Sequence, residues 1–240
     1  MLVRHESGGI RWYSFAPLDE LGFLANWVTT NRNGFNLAGP PDGTAGKNRS
    51  LANELFAGGR KIYLPVQEHG VLVRELSADA EAAAPADAVF TSRPTTPAGV
   101  LTADCLPIIL ADPAKKTAAV VHAGRKGIFG GIIGGTISAM KPRRVVAALG
   151  PAIRNCCYEV GPDVFDGGFD AFKKYYERGR LDLIKAALDQ LSAAGVAAGD
   201  VHDSGICTHC GGGEFYSFRR EGGSAGRFMT GLMILPPVGG

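Results

Sequence analysis

Three residues offer the donor atoms of a metal site: His69 in Q-E-H-G, Cys105 in A-D-C and His122 in H-A-G. Imidazole nitrogen and thiolate sulfur are the ligands that zinc and copper take. Two nitrogens, one sulfur and an open fourth position describe a catalytic zinc site, in which the ion polarises an oxygen or activates water. Their separations are far longer than those of a zinc finger, so spacing alone does not join them. Plainer roles stay open: a Cys beside buried strands often serves as a small core residue, and a His before Gly often occupies a turn. Without a metal, Cys105 and His122 also suit a nucleophile and its base, the pair of a cysteine hydrolase.

The segment after His122, Gly124-Arg125-Lys126-Gly127-Ile128-Phe129-Gly130-Gly131, could present backbone N–H groups and two cations to an anion. It fits neither the P-loop nor the dinucleotide fingerprint. Close packing through Gly130, Gly131, Gly134 and Gly135 is an equal alternative. Arg219, Arg220 and Arg227 form a late basic group that suits either a phosphate or carboxylate contact or a solvated face. Cys207-Thr208-His209-Cys210 lacks a second C-x-x-C pair. Cys156 and Cys157 are adjacent, and neighbouring side chains of an extended segment point opposite ways, which makes them poor joint ligands. These four cysteines are expected to form neither disulfides nor a second metal centre.

The elements that must position the trio are read from apolar runs. A strand ends near Asp104-Cys105, a buried strand covers Pro107 to Leu110, a turn falls at Asp112-Pro113, and an apolar strand from Ala118 to Val121 stops on His122. Strands from Lys61 to Val66 and from Val71 to Leu76 flank His69 in a hairpin-like connection. Further strands are expected around Gly9 to Phe15, Gly22 to Trp27, Val145 to Leu149, Asp200 to Ile206, Phe215 to Arg219 and Phe228 to Leu235. Asn48 to Ala57 reads as a short helix. Leu181 to Ala194 reads as a longer one, with Gly195 placed as its C-terminal cap. Residues Ser77 to Ala88 read as a helical turn broken at Pro85, or a surface excursion, carrying no chemistry. Strand and helix do not alternate regularly, which predicts an α+β fold, one domain over residues 1–240 with mixed β-sheets flanked by helices.

Composition narrows the function classes. The chain has 240 residues, 45% of them hydrophobic, enough for a sizeable core. A formal charge of +2, with Lys and Arg dispersed, argues against nucleic acid and toward a small-molecule substrate. No segment reaches the roughly 18 apolar residues of a membrane span, and the N-terminus has no signal-peptide core, so no membrane partner and a cytoplasmic location are expected. Five cysteines without small-scaffold spacing suggest reduced thiols.

Taken together, QEHG at Gln67, ADCLP at Ala103, HAG at His122, GPAIRNCCYEVGPDV at Gly150, CT at Cys207, FYSFRRE at Phe215 and GR at Gly226 resemble the bacterial laccase-domain family. Its members were described first as polyphenol oxidases and later as purine nucleoside phosphorylases with adenosine deaminase activity. The resemblance runs from about Trp27 to Leu235. It implies zinc on His69, Cys105 and His122, and phosphorolysis of adenosine, inosine, guanosine or 5′-methylthioadenosine to free base and sugar 1-phosphate. The partners implied are thus a purine nucleoside and phosphate, with Arg32, Arg125, Arg219 and Arg227 as candidate phosphate contacts and Glu159 as a candidate proton carrier. Glu68, placed on a strand, would face away from His69. Where the family has H-A-G-W-R-G, this chain carries Arg125 and Lys126, and its early loop is the shortened Thr29 to Leu37. A copper-dependent polyphenol oxidase and a metal-free cysteine hydrolase using Cys105 and His122 are the alternatives.

Overall fold

Leu106 to Leu110 and Ala118 to Val121 are apolar at every position, and such strands must be covered on both faces. The computed structural model, which describes residues 1–40, 43–77 and 83–237, meets that demand with four layers. One sheet contains β1 (Leu2–Ser7), β2 (Ile10–Phe15), β3 (Leu24–Thr29), β6 (Ala98–Thr102) and β13 (Phe228–Ile234), in the order β1-β2-β3-β13-β6 and antiparallel throughout. The other contains β4 (Val73–Glu75), β5 (Ala88–Thr91), β7 (Leu106–Asp112), β8 (Thr117–Ala123), β9 (Val146–Leu149) and β12 (Val201–Asp203), in the order β12-β9-β7-β8-β5-β4. Its outer pairs, β4 with β5 and β9 with β12, are parallel, and its inner pairs are antiparallel. A short ribbon, β10 (Tyr176–Glu177) with β11 (Arg180–Leu181), stands apart.

The two-residue period of the strands divides the core. Ile109, Ala111, Ala118 and Val120 face the first sheet, where they meet Val28, Val100, Phe228 and Leu232. Ile108, Leu110, Ala119 and Val121 face the helices α4 (Ile132–Met140) and α5 (Leu183–Ala193). On the far side of the first sheet, α2 (Thr44–Ala57) packs Ala52 and Phe56 against Trp27 and Met229. Each such Val, Leu, Ile, Phe or Met side chain, fully buried, contributes about 1.5–3 kcal/mol. Asp112 closes the β7–β8 hairpin: its buried carboxylate accepts the N–H groups of Ala114 at 2.9 Å and Arg143 at 2.7 Å. Asp182 caps α5 by accepting from the Lys185 N–H at 2.9 Å, and Gly195 follows it at φ 82.

The mixed sheets flanked by helices are therefore as expected, but several local expectations are not met. The chain around His69-Gly70 is a loop rather than a hairpin, because β4 pairs with β5, in parallel, and residues 61–66 make only isolated bridges. Glu68 consequently sits on no strand. Phe215 to Arg219 is not a strand; it leads into a helical turn, α6 (Phe218–Glu221), capped by Ser217. Within Ser77 to Ala88, residues 78–82 lie outside the described residues, while Pro85 bridges Val66 in extended chain. The gap left by Gly231 on β13 is filled by the Trp27 indole, itself stacked on Phe56 at 5.2 Å. A Cβ at Gly231 would fall 2.5 Å from Trp27 ring atoms. Gly231→Ala should therefore destabilise the protein by about 1–3 kcal/mol through overpacking, read as a lower denaturant midpoint at unchanged m-value; an unshifted midpoint would show that the indole has room to move.

Candidate metal site

Asp87 assembles the site. It lies in the segment expected to carry no chemistry, and its carboxylate, 1% exposed, accepts three successive backbone N–H groups: Glu68 at 3.3 Å, His69 at 3.0 Å and Gly70 at 2.7 Å. The same carboxylate lies 2.7 Å from His122 Nδ1. Burial pushes the Asp87 carboxyl up, but the His122 bond and the N–H donors outweigh it and hold it below its ordinary value. Gln67 clamps the other side of the loop, exchanging two hydrogen bonds with the Leu101 backbone at 2.8 and 2.9 Å. Between these anchors His69 takes a left-handed φ of 58.

The trio comes together. One ligand atom each from His69, Cys105 and His122 lie within 4.8 Å of one another, and the two imidazoles meet edge to face with centroids 4.7 Å apart. With Nδ1 committed to Asp87, His122 turns Nε2 to the group, the arrangement by which a carboxylate orients a metal-binding histidine. Burial opposes charge on Cys105, yet His122 and His69 lower its pKa to about 6. Burial likewise disfavours the His122 cation, and Asp87 and Cys105 raise its pKa to about 9. Without a metal the pair is thus a thiolate and an imidazolium near neutral pH. A Cβ on Gly124 would stand 3.1 Å from Cys105 Sγ, 3.3 Å from His69 and 3.7 Å from His122 Nε2. The absent side chain leaves space against Cys105 Sγ, His122 Nε2 and the His69 ring edge at Cδ2, and two nitrogens and one sulfur so gathered fit a zinc or copper ion.

Of the four candidate arginines, two gather at Tyr158, whose hydroxyl also feels Cys105. Arg219 lies over the Tyr158 ring at 5.4 Å, while Arg125 reaches the same phenol and donates to the Val164 carbonyl at 2.8 Å. Nothing in the sequence marks Tyr158 as a site residue; burial chiefly holds its hydroxyl protonated, assisted by Cys105 and opposed by both arginines. Arg32 instead pairs with Glu6 at 3.5 Å, and Arg227 folds onto the Ala225 and Gly226 carbonyls at 2.7 and 2.9 Å. Glu159 turns its exposed carboxylate to Arg180 at 3.1 Å, and its carbonyl accepts from Arg219 at 2.8 Å. Asp104, at a φ of 95, accepts from Thr208 Oγ1 at 2.5 Å and from the Arg219 N–H at 2.7 Å. Such a backbone conformation is uncommon outside glycine and gathers at functional sites. In the glycine-rich segment, Gly127 and Gly130 give close packing, with a Cβ falling 2.9 Å from the Gly70 carbonyl and 2.5 Å from Val71; Gly134 and Gly135 face open space. A cavity of about 640 Å³ beside α2, lined in part by Arg49, Asn53 and Lys61, holds none of the trio.

The remaining cysteines also depart from expectation. Cys156 and Cys157 sit in a turn, where both the Cys157 and Tyr158 N–H groups bond to the Arg154 carbonyl. The alternation of an extended segment does not apply there, and both sulfurs fall within 4.8 Å of those of Cys207 and Cys210.

The carboxylate's control of His122 can be measured on metal-free protein, with a Cys105→Ser control for the other thiols. The Cys105 thiolate should appear as pH rises through about 6. In Asp87→Asn the imidazole loses the anion that holds its proton, its pKa falls from about 9, and the weaker cation lets the thiol pKa rise. The ultraviolet thiolate transition should therefore shift to higher pH, and metal affinity should drop about 10–100-fold. An unmoved transition would show that Asp87 does not set the charge of His122.

Residues 30–235 match the multi-copper polyphenol oxidoreductase laccase family. A protein of Clostridium acetobutylicum named purine nucleoside phosphorylase is 34% identical over 175 residues, covering 68% of this chain and 73% of its own. One of the same name from Xylella fastidiosa is 33% identical over 232 residues, covering 90% and 86%. Adenosine deaminase RL5, from an unknown prokaryotic organism, is 33% identical over 210 residues, covering 76% and 79%. The fold is that of YlmD from Geobacillus stearothermophilus, at a TM-score of 0.84 and 24% identity over 98% of this chain and 100% of that one. Agreement over so much of its length makes this chain a member of the multi-copper polyphenol oxidoreductase laccase family.

Proposed function

We propose that the protein is a zinc-dependent purine nucleoside phosphorylase with adenosine deaminase activity at the same site. The observation that carries this reading is the pair of imidazoles and the thiol gathered around the space before Gly124, in a chain whose relatives bear both names. In phosphorolysis a phosphate oxygen bonds the sugar C1′, the C1′–N9 bond breaks, and the purine leaves with the electron pair and takes up a proton. His69, Cys105 and His122 would hold the ion, which when bound supplies a Lewis acid toward anionic oxygen.

The chain's own residues account for the rest. Asp87 fixes the His122 ring, and the Cys105 pKa of about 6 makes its thiolate available as a ligand at neutral pH. Arg219 and Arg125 bring cations to the neighbourhood where phosphate must be steadied against its own charge. The Tyr158 phenol, held protonated, is a hydrogen-bond donor beside them. Arg125 and Arg219 each donate to one carbonyl, whereas Arg227 donates to two and Arg32 pairs with the Glu6 carboxylate, which makes the latter two the weaker candidates. The thiolate–imidazolium pair gives specific support to a second reading, a metal-free cysteine hydrolase. Copper suits the same three donors, so elemental analysis is part of the test.

Purified protein assayed on adenosine, inosine, guanosine and 5′-methylthioadenosine should release base only when phosphate is present. Ammonia should form from adenosine without phosphate. Chelation should stop both reactions and zinc should restore them. Turnover indifferent to metal removal would establish the hydrolase instead, and no turnover of any nucleoside by zinc-loaded protein would end the proposal. Arg219→Ala should raise the phosphate KM about tenfold, the scale of one charge-assisted hydrogen bond, at unchanged zinc content, while Arg227→Ala leaves that KM near its original value. The reverse order would move the phosphate site to the Arg227 loop.

A further inference from the structure

We propose that Cys156, Cys157, Cys207 and Cys210 form a second metal site, a structural tetrathiolate centre for zinc, distinct from the His69–Cys105–His122 group. All four are free thiols, and their sulfurs lie within 4.8 Å of one another, with 3.7 Å between Cys156 and Cys210. Four sulfurs at about 2.3 Å from a zinc ion stand about 3.8 Å apart along the edges of the tetrahedron. A set of four soft donors so placed selects zinc or an iron–sulfur cluster over harder cations, and a single ion fits the observed spacing.

The backbone around the thiols is built as for a metal-binding turn. Cys207 to Gly211 closes on itself, the Gly211 N–H bonding the Cys207 carbonyl at 2.7 Å. A Cβ at Gly211 would stand 2.4 Å from that oxygen, so the turn tolerates no side chain there. The backbone amides of Cys210, Arg154 and His209 lie near the Cys207 sulfur and favour its thiolate against burial. Ala152 bridges Cys207, and Arg154 grips Asp203 with two hydrogen bonds of 2.9 and 2.6 Å, which together hold the two cysteine-bearing segments side by side.

Charge and position are consistent with a structural role. Four thiols give up their protons to solvent as four Zn–S bonds form, and the centre then carries two net negative charges. Arg154, which joins the two segments through Asp203, and Arg220, which donates to the Thr208 and His209 carbonyls at 2.6 and 3.1 Å and pairs with Glu221, lie beside the cluster as two ion pairs. The two joined segments also carry Thr208, which bonds Asp104 next to Cys105, and Tyr158, which underlies Arg219. The second centre therefore braces the wall of the first.

The test uses Cys105→Ala, which removes a donor of the first site, so its outcome is independent of the nucleoside reading. This variant, isolated from zinc-supplemented cells, should retain about one zinc per chain, with X-ray absorption showing sulfur neighbours only, at about 2.3 Å. Adding Cys156→Ser and Cys210→Ser should remove that zinc and lower the melting temperature. Should the triple variant fail to fold, the absorption spectrum of Cys105→Ala decides alone. Nitrogen or oxygen in the coordination shell, an absence of zinc, or a Cys156–Cys210 disulfide in freshly isolated protein would overturn the proposal.

Discussion

The carboxylate of Asp87 is the constraint on which the site depends. A carboxylate with 1% exposure is costly to bury unless its lone pairs are used, and here they are used by three consecutive N–H groups and one imidazole. One residue thereby shapes the loop that presents His69 and selects the His122 nitrogen that faces Cys105. The strength of the arrangement lies in its reciprocity. The loop needs an acceptor for amides turned inward, and the carboxylate needs donors to remain charged.

That carboxylate is held in turn by the sheet. Asp87 immediately precedes β5, and the His122 N–H bonds its carbonyl at 2.7 Å, so the two residues are paired by backbone as well as by side chain. Cys105 immediately precedes β7, and the antiparallel pairing of β7 with β8 sets Pro107 opposite His122. Strand register, fixed by which apolar residues face which neighbouring layer, therefore also fixes the distance between sulfur and nitrogen. Packing error at Ile109 or Val120 would be transmitted to the donors.

Asp104 links the two cysteine-containing groups. Its strained backbone aims its carboxylate at Thr208 and at the Arg219 N–H, while its carbonyl accepts from Ile153 at 2.9 Å. The segments that gather four sulfurs are thus tied to the residue beside the Cys105 thiol, which is why the order of one group bears on the geometry of the other.

Local pattern was enough for the elements whose period is short and whose environment is uniform. The apolar runs around Ile108 and Val120 specified buried strands, the spacing of Ile184, Leu188 and Leu191 specified α5, although Leu181, read with them, ends β11 before the Asp182 cap, and donor chemistry singled out His69, Cys105 and His122. What the sequence could not express was pairing at a distance. Asp87 looked inert among alanines because its partners are backbone amides of residues 68–70 and a histidine 35 positions onward. Cys156 and Cys157 looked incompatible as ligands because a turn cannot be told from a strand by two residues, and Tyr158 gave no sign of the two arginines that reach it from Arg125 and Arg219. Residue type determined which atoms could bind a metal or an anion. Tertiary structure decided which of them meet, because burial and hydrogen-bond satisfaction act between segments that the chain itself keeps apart.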